Sequence, residues 1–105
     1  MLVQINTDRN IEGTEALAQQ AEEMIRGALD RFSGHLTRVE VHLSDVNSDQ
    51  RVGPGDKRCL LEARLTSRQP IAVSHQASTV EQAMDGAAQK MTRSLDKILG
   101  RMGDR

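Results

Sequence analysis

The chain has 105 residues, of which 37% are hydrophobic and 28% charged, a balance typical of one globular domain. Its formal net charge is −1 and Phe32 is its only aromatic residue, which argues against a single-strand nucleic-acid binder that stacks bases on aromatic side chains. The single cysteine, Cys59, excludes an internal disulfide, and no stretch approaches the ~20 apolar residues of a membrane-spanning helix. We therefore expect one cytoplasmic domain over residues 1–105, with no membrane segment.

The first half of the chain predicts a short strand followed by an amphipathic helix. Residues 2–6 alternate in polarity, as the residues of a strand do. From Thr14, a predicted N-cap, apolar residues recur at spacings of three and four, which predicts a helix. Gly34 is predicted to end this helix, because glycine adopts the left-handed backbone conformation at little cost.

Three further strands follow, and the period of the pattern changes to two. In the second strand Val39, Val41 and Leu43 alternate with polar residues. Residues 47–56 are rich in turn-forming residues and predict a mobile loop. The third strand is predicted to point four apolar side chains inward: Cys59, Leu61, Ala63 and Leu65. A fourth strand is predicted over residues 71–75.

The last predicted element is a long amphipathic helix that begins with a capping box formed by Ser78 and Glu81. Its apolar stripe runs to Met102, and the glycines at its end predict a loose tail over residues 100–105. The element order is thus β-α-β-β-β-α. We predict an α+β fold of a single domain, in which two helices pack on one face of a four-stranded mixed sheet and the other face is solvated.

The sequence predicts neither an enzyme nor a metal site. His35, His42 and His75 lie in separate segments without the paired spacing of metal ligands, so we expect them on the surface or in loops. Cys59 is predicted to face inward among leucines, where it acts as a small hydrophobe. The chain contains no P-loop, dinucleotide-binding glycine turn or nucleophile elbow. We expect no catalytic residue, no metal ligand, no cofactor and no small-molecule substrate.

Charge is distributed unevenly along the chain. Residues 1–50 contain nine acidic and four basic residues, a net of −5, whereas residues 51–105 contain ten basic and six acidic residues, a net of +4. In the second helix four cations advance by three or four residues and fall along one stripe: Lys90, Arg93, Lys97 and Arg101. A phosphate backbone would relieve their mutual repulsion. The alternative is a solvated helix face whose charge is offset by Asp85 and Asp96.

The outward face of the predicted sheet carries charges of both signs. Three arginines alternate there with two glutamates: Arg38, Arg58, Arg64, Glu40 and Glu62. Opposite charges on neighbouring strands stabilise a sheet as cross-strand pairs. We interpret this face as structural.

Two motifs resemble a known family. Residues 5–17, with the sequence INTDRNIEGTEAL, are similar to the opening of the ribosome hibernation-promoting factors, also called protein Y or sigma-54 modulation proteins. The second helix resembles the family pattern A-x-D-x(4)-K-x-x-R-x-L-x-K at Ala83, Asp85, Lys90, Arg93, Leu95 and Lys97. The order β-α-β-β-β-α is also that of the family, so the resemblance covers essentially the whole chain.

The resemblance implies a factor that binds the small ribosomal subunit in the channel used by mRNA and tRNA, and that inhibits translation during stress or stationary phase. It implies contacts from both helices to 16S rRNA phosphates, and Lys90, Arg93 and Lys97 match the second-helix cations of the family. The predicted RNA-binding residues are these three together with Arg101 of the same stripe and Arg26 and Arg31 of the first helix. Recognition of shape and backbone needs cations and no stacking aromatic residues. The chain resembles the short form of the family, which has no dedicated dimerisation domain.

The first helix departs from the family pattern. Met24 and Gly27 stand where the family places lysines, and Arg26 and Arg31 are displaced from those positions and crowded by acidic residues. An alternative interpretation is therefore a protein-interaction module with the same fold and little RNA affinity, in which the acidic first helix and the 47–56 loop bind a protein partner. Steep salt dependence of ribosome binding distinguishes the first interpretation from the second.

Overall fold

The computed structural model describes residues 1–8, 11, 13–46 and 57–103, with the side chains of the last helix described as far as Leu99. Its elements are β1 (Leu2–Thr7), α1 (Glu15–Leu29), a 3₁₀ helix (Asp30–His35), β2 (Leu36–Asp45), β3 (Lys57–Leu65), β4 (Ile71–Ala77) and α2 (Val80–Gly103). This order confirms the predicted β-α-β-β-β-α succession. Within these residues, no helix combines the length and the apolar character needed to cross a membrane.

The four strands form one mixed sheet in the order β1-β2-β3-β4. β1 and β2 are parallel because α1 lies between them in the chain, whereas β2, β3 and β4 are successively antiparallel. The register places Val41 of β2 between Ile5 of β1 and Leu61 of β3. α1 packs on β1, α2 packs on β3 and β4, and the two helices contact each other. The predicted α+β architecture is confirmed.

The core is aliphatic apart from Phe32, as the composition requires. The inward-facing residues of β2 and β3 alternate with half-exposed polar residues, so the sheet buries one face against the helices. The fully buried side chains include Val39, Val41, Leu61, Met84, Met91 and Leu95. The sequence-based assignment of inward and outward positions in β2 and β3 is therefore correct, and it determines which charged side chains stay accessible on the sheet.

α2 approaches β4 closely at Gly86. A Cβ atom at this position would collide with the imidazole ring of His75 in β4. Only glycine allows the helix to lie so near the strand without displacing that ring. His75 is half-buried beneath the helix, so the prediction of a surface or loop position was wrong for this histidine.

α1 begins as predicted but ends earlier. The Thr14 hydroxyl oxygen accepts a hydrogen bond from the Leu17 backbone N–H at 3.0 Å, which confirms the N-cap. The α-helix ends at Leu29, and the chain continues as the 3₁₀ helix that contains Gly34. Gly34 does not adopt the left-handed conformation, so its predicted role as the helix stop was wrong. The tighter 3₁₀ turns direct Phe32 into the core, where it is 5% exposed.

The N-terminus of α2 is displaced by one residue from the predicted capping box. Thr79 is the cap, since its hydroxyl oxygen accepts a hydrogen bond from the Gln82 backbone N–H at 3.1 Å. The Ser78 hydroxyl instead donates to the Gln82 side-chain oxygen at 2.8 Å. Glu81 accepts a hydrogen bond from Gln20 of α1 at 3.1 Å. Serine and threonine are both favoured caps, so adjacent Ser78 and Thr79 left the helix start ambiguous from the sequence.

Two elements are longer than predicted. β4 continues two residues beyond the predicted range of 71–75, to Ala77. The backbone of α2 is helical through Gly103, so the helix includes the first four residues of the predicted tail. One glycine in a helix interior costs only about 1 kcal/mol relative to alanine, which is too little to end a helix of this length. The predicted mobile loop, residues 47–56, and residues 104–105 of the predicted tail lie outside the described residues.

Candidate nucleic-acid interface

α2 carries the predicted second-helix cations on its exposed side. Met84, Met91 and Leu95 are buried against the sheet, so the 100° rotation per residue directs the opposite side of the helix to solvent. Three exposed cations lie within about 60° of one another on this side: Lys90, Arg93 and Lys97. Arg101 belongs to the last turn of α2, but its side chain is outside the described part of the chain. The structure thus brings three of the six predicted residues together.

Lys90 lies where α2 meets the outer strand of the sheet. Its Nζ donates a hydrogen bond to the backbone carbonyl of Ser74 in β4 at 2.8 Å. An ammonium group has three N–H donors, so this contact positions the group and leaves donors for a further partner. Because the acceptor is a neutral carbonyl, the positive charge of Lys90 is not cancelled by it.

Arg93 and Lys97 are separated by one helical turn and border a shallow depression of about 580 Å³, completed by Ser94 and Asp96. Arg93 also borders a second depression of about 390 Å³, which it shares with Ala28 of α1. Within the residues that the structure describes, the side chains of Arg93 and Lys97 make no ion pair or hydrogen bond. Both cations are therefore available to an anion from solvent.

Arg31 reaches α2 from the 3₁₀ helix, but it is bound to an acidic side chain there. Its Nη1 and Nη2 donate to Asp96 Oδ1 and Oδ2 at 2.8 and 2.9 Å, a bidentate pair. These hydrogen bonds, aided by the opposite charges, lower the pKa of Asp96 and raise that of Arg31. The guanidinium also lies 4.4 Å from the centre of the Phe32 ring. The structure brings Arg31 to the edge of the α2 face with its charge neutralised.

Arg26 is held away from the α2 cations. Its Nε donates to Glu22 Oε2 at 2.9 Å, one turn earlier in α1, and its Nη1 donates to the backbone carbonyl of Met1 at 3.0 Å. Met1 precedes β1, at one edge of the sheet, whereas Lys90 contacts β4 at the other edge. The structure therefore places Arg26 in a contact between α1 and the start of the chain.

Sequence reasoning missed the partner of Asp96. In the alternative interpretation of a solvated helix face, Asp85 and Asp96 offset the cations of their own helix. Instead, Asp85 accepts a hydrogen bond from Gln89 at 2.9 Å, and Asp96 pairs with Arg31, 65 positions away. Residues so far apart in the sequence follow no spacing pattern that predicts their contact. Only the tertiary structure shows that Asp96 of α2 neutralises a cation from another element.

Cys59 is part of the hydrophobic core. The thiol is fully buried between the sheet and the helices, as predicted. Burial raises the pKa of the Cys59 thiol to about 12, so the group is protonated at neutral pH.

His42 is half-exposed on the face of the sheet opposite the helices, here called the open face. Its Nε2 lies 3.3 Å from Glu40 Oε1 and 3.4 Å from Glu62 Oε1. The pairing of β2 with β3 brings Glu62, from a separate segment of the chain, next to this histidine.

A sequence model of the sigma 54 modulation protein / S30EA ribosomal protein family matches residues 4–102. No curated protein sequence matches the chain significantly. Among solved structures, the N-terminal domain of Protein Y from Thermus thermophilus is similar, with a TM-score of 0.74 and 19% identity over 93% of this chain and 99% of that one. A ribosomal subunit interface protein from Coxiella burnetii has a TM-score of 0.71 and 14% identity, over 93% and 97% of the two chains.

At such low identities the two solved structures establish the fold alone, but the family match extends over nearly the whole chain. The family and the fold are those of ribosome-associated hibernation and interface proteins. The chain belongs to the sigma 54 modulation protein / S30EA ribosomal protein family.

Proposed function

We propose that this protein binds 16S rRNA of the small ribosomal subunit, in the channel used by mRNA and tRNA, and inhibits translation in the cytoplasm during stress or stationary phase. Membership of a ribosome-associated family supports the partner. The observation that carries the proposal is the pair of exposed cations, Arg93 and Lys97, which have no acidic partner among the described residues.

Binding then depends on phosphate contacts from α2. The guanidinium of Arg93 offers a planar pair of donors to a phosphate, and Lys97 offers a compact charge one turn away. Lys90 extends the same row towards β4, and Arg101 extends it towards the end of the helix by its position in the sequence. Each phosphate contact releases counterions, so affinity falls as salt rises. Contacts of this kind position a protein on RNA without reading bases, which suits a chain with one aromatic residue.

Inhibition requires no chemical step. A domain held in the channel excludes mRNA and tRNA by occupying their space. The assignment of Arg26 and Arg31 to RNA binding is weaker than that of the α2 cations, since both form internal ion pairs. We propose that Arg31 contributes only when Asp96 releases it, and that Arg26 stabilises the fold.

Charge reversal on α2 tests the proposal. The variant Arg93→Glu/Lys97→Glu is expected to lose at least about ten-fold in affinity for purified 30S subunits, measured by co-sedimentation, because two phosphate contacts become repulsive. The matched control is Arg58→Glu/Arg64→Glu, which makes the same change in net charge on the open face. Equal loss in both variants, or no loss in the α2 variant, would contradict an interface on α2.

One observation favours the alternative of a protein-interaction module. Both arginines of the first helical region are neutralised internally, while Glu15 and Glu23 of α1 are exposed. An acidic α1 surface would suit a basic protein partner rather than RNA. Wild-type protein that fails to sediment with 30S subunits at low salt would support this second candidate.

A further inference from the structure

The open face of the sheet carries a cluster of three side chains that the proposed ribosome interface does not use. Glu40 and His42 lie on β2, and Glu62 lies on β3. One ligand-type atom from each lies within 4.8 Å of the other two. The cluster is not purely acidic, since the imidazole Nε2 lies between the two carboxylates.

The distances in the cluster are too long for good hydrogen bonds. His42 Nε2 is 3.3 Å from Glu40 Oε1 and 3.4 Å from Glu62 Oε1, whereas charge-assisted N–H···O bonds are about 2.7–2.9 Å long. Ligand atoms bound about 2.0–2.2 Å from a tetrahedral zinc ion lie about 3.3–3.6 Å from one another. The two separations that involve His42 fall within this second range, and the third, between the two carboxylate oxygens, is within 4.8 Å.

The strand register places the two glutamates directly opposite each other on neighbouring strands. Glu40 of β2 is the Cα partner of Glu62 in β3, and on its other side Glu62 faces Ala72 of β4. Like charges directly opposite each other on neighbouring strands destabilise a sheet. Glu40 already pairs with Arg38, whereas the only ion-pair contact of Glu62 among the described residues is with His42, which is charged only when protonated. A cation bound by both carboxylates would offset the negative charge that remains at Glu62.

The surroundings of Glu40 suit a metal ligand. Its Oε2 accepts a contact from Arg38 Nη2 at 2.6 Å, and the same nitrogen donates to Gln4 at 2.7 Å. These contacts orient the carboxylate and leave Oε1 directed at His42. Hydrogen-bonded support of this kind is what fixes ligating side chains in metal sites. The Glu40 side chain is 13% exposed, whereas those of His42 and Glu62 are 37% and 40% exposed, so the cluster is open to ions from solvent.

From these observations we propose that Glu40, His42 and Glu62 form a binding site for a divalent transition-metal ion of the zinc type. One imidazole nitrogen and two carboxylate oxygens supply three ligands, and water supplies the fourth. The two central strands, β2 and β3, hold the ligands, and the buried thiol of Cys59 lies on the opposite face of the sheet. The site is independent of the α2 cations, so it stands whether or not the protein binds RNA.

Zinc binding to the purified full chain tests the proposal. Isothermal titration with Zn²⁺ is expected to give one saturable site in wild-type protein. His42→Gln and Glu62→Gln each remove one ligand, and each is expected to weaken binding more than about ten-fold. Co²⁺ in place of Zn²⁺ is expected to give the visible absorption bands of a tetrahedral ion in wild-type protein and not in the two variants.

The matched control is His35→Gln, which removes an exposed histidine of the 3₁₀ helix and is expected to leave the affinity for Zn²⁺ unchanged. Circular dichroism of each variant establishes that its fold is intact. Wild-type protein that binds no Zn²⁺ up to millimolar concentration would overturn the proposal. Zinc binding that survives unchanged in both His42→Gln and Glu62→Gln would overturn it equally, because the ion would then lie elsewhere.

Discussion

The cations of α1 and the 3₁₀ helix are paired with acidic side chains, whereas in the described part of the chain two cations of α2 are not. Arg26 and Arg31 are bound by Glu22 and Asp96, whereas Arg93 and Lys97 of α2 have no acidic partner among the described residues. Both sets are exposed and both were assigned to RNA binding from the sequence. The positive charge available to a polyanion therefore depends on which cations are paired within the fold. The number of basic residues in the sequence does not give this information.

The same comparison explains how a protein of net charge −1 can present a basic surface. The acidic residues that neutralise Arg26 and Arg31 are Glu22 of α1 and Asp96 of α2. The row formed by Lys90, Arg93 and Lys97 lies outside these pairs, beginning at the β4 edge. A phosphate backbone is attracted by a local cluster of positive charge, whatever the net charge of the whole protein.

The largest predicted effect concerns the packing that holds α2 in place. Gly86→Ala is expected to lower the free energy of unfolding by about 1–3 kcal/mol, because the new methyl group overlaps the His75 ring. Gly27→Ala in α1 is the control, since a methyl group there would meet nothing within 4 Å beyond the backbone of its own helix. At that position we expect stabilisation by about 0.5–1 kcal/mol, as alanine is the better helix former. Urea unfolding of both variants measures the difference; equal effects at the two glycines would contradict the close contact.

A smaller effect is predicted for releasing Arg31. Asp96→Asn removes the negative charge beside Arg93 and Lys97 and frees the guanidinium, so affinity for 30S subunits is expected to rise about five-fold. Glu22→Gln is the matched control, because it frees Arg26 in the same way at the distant edge of the sheet. Co-sedimentation of the two variants with 30S subunits measures both effects. A similar gain in both would show that net charge matters and position does not.

The smallest predicted effect is on the pH dependence of stability. The pKa of Asp96 is lowered in the folded protein by its hydrogen bonds to Arg31, so the unfolded chain binds this proton more readily. The pair therefore stabilises the fold above the ordinary aspartate pKa of about 3.9, and this contribution is lost as pH falls through the lower folded-state value. Wild-type protein is expected to have a higher Tm than Asp96→Asn at pH 6, and the difference should shrink below about pH 4. A difference that stays constant down to acidic pH would contradict the ion pair.

Periodicity predicted most of the fold and only part of the site. Alternation in β2 and β3 and the three- and four-residue spacing of α2 correctly separated buried from exposed positions, including Arg93 and Lys97. These patterns arise within a single element, because one side of that element is buried against an apolar surface. The pairing of Arg31 with Asp96 and the approach of Gly86 to His75 each join two different elements. The spacing of residues within one element therefore does not predict them. The end of α1 was missed because the 3₁₀ helix replaces a glycine stop.

The salt dependence of 30S binding by wild-type protein reports whether the α2 cations bind RNA phosphates. If Lys90, Arg93 and Lys97 each contact one phosphate, the logarithm of the association constant should fall linearly with the logarithm of salt concentration, with a slope of about −2 to −3. The slope should be shallower for Arg93→Glu/Lys97→Glu. Binding that does not change with salt, or no binding even at low salt, would contradict phosphate binding by the α2 cations.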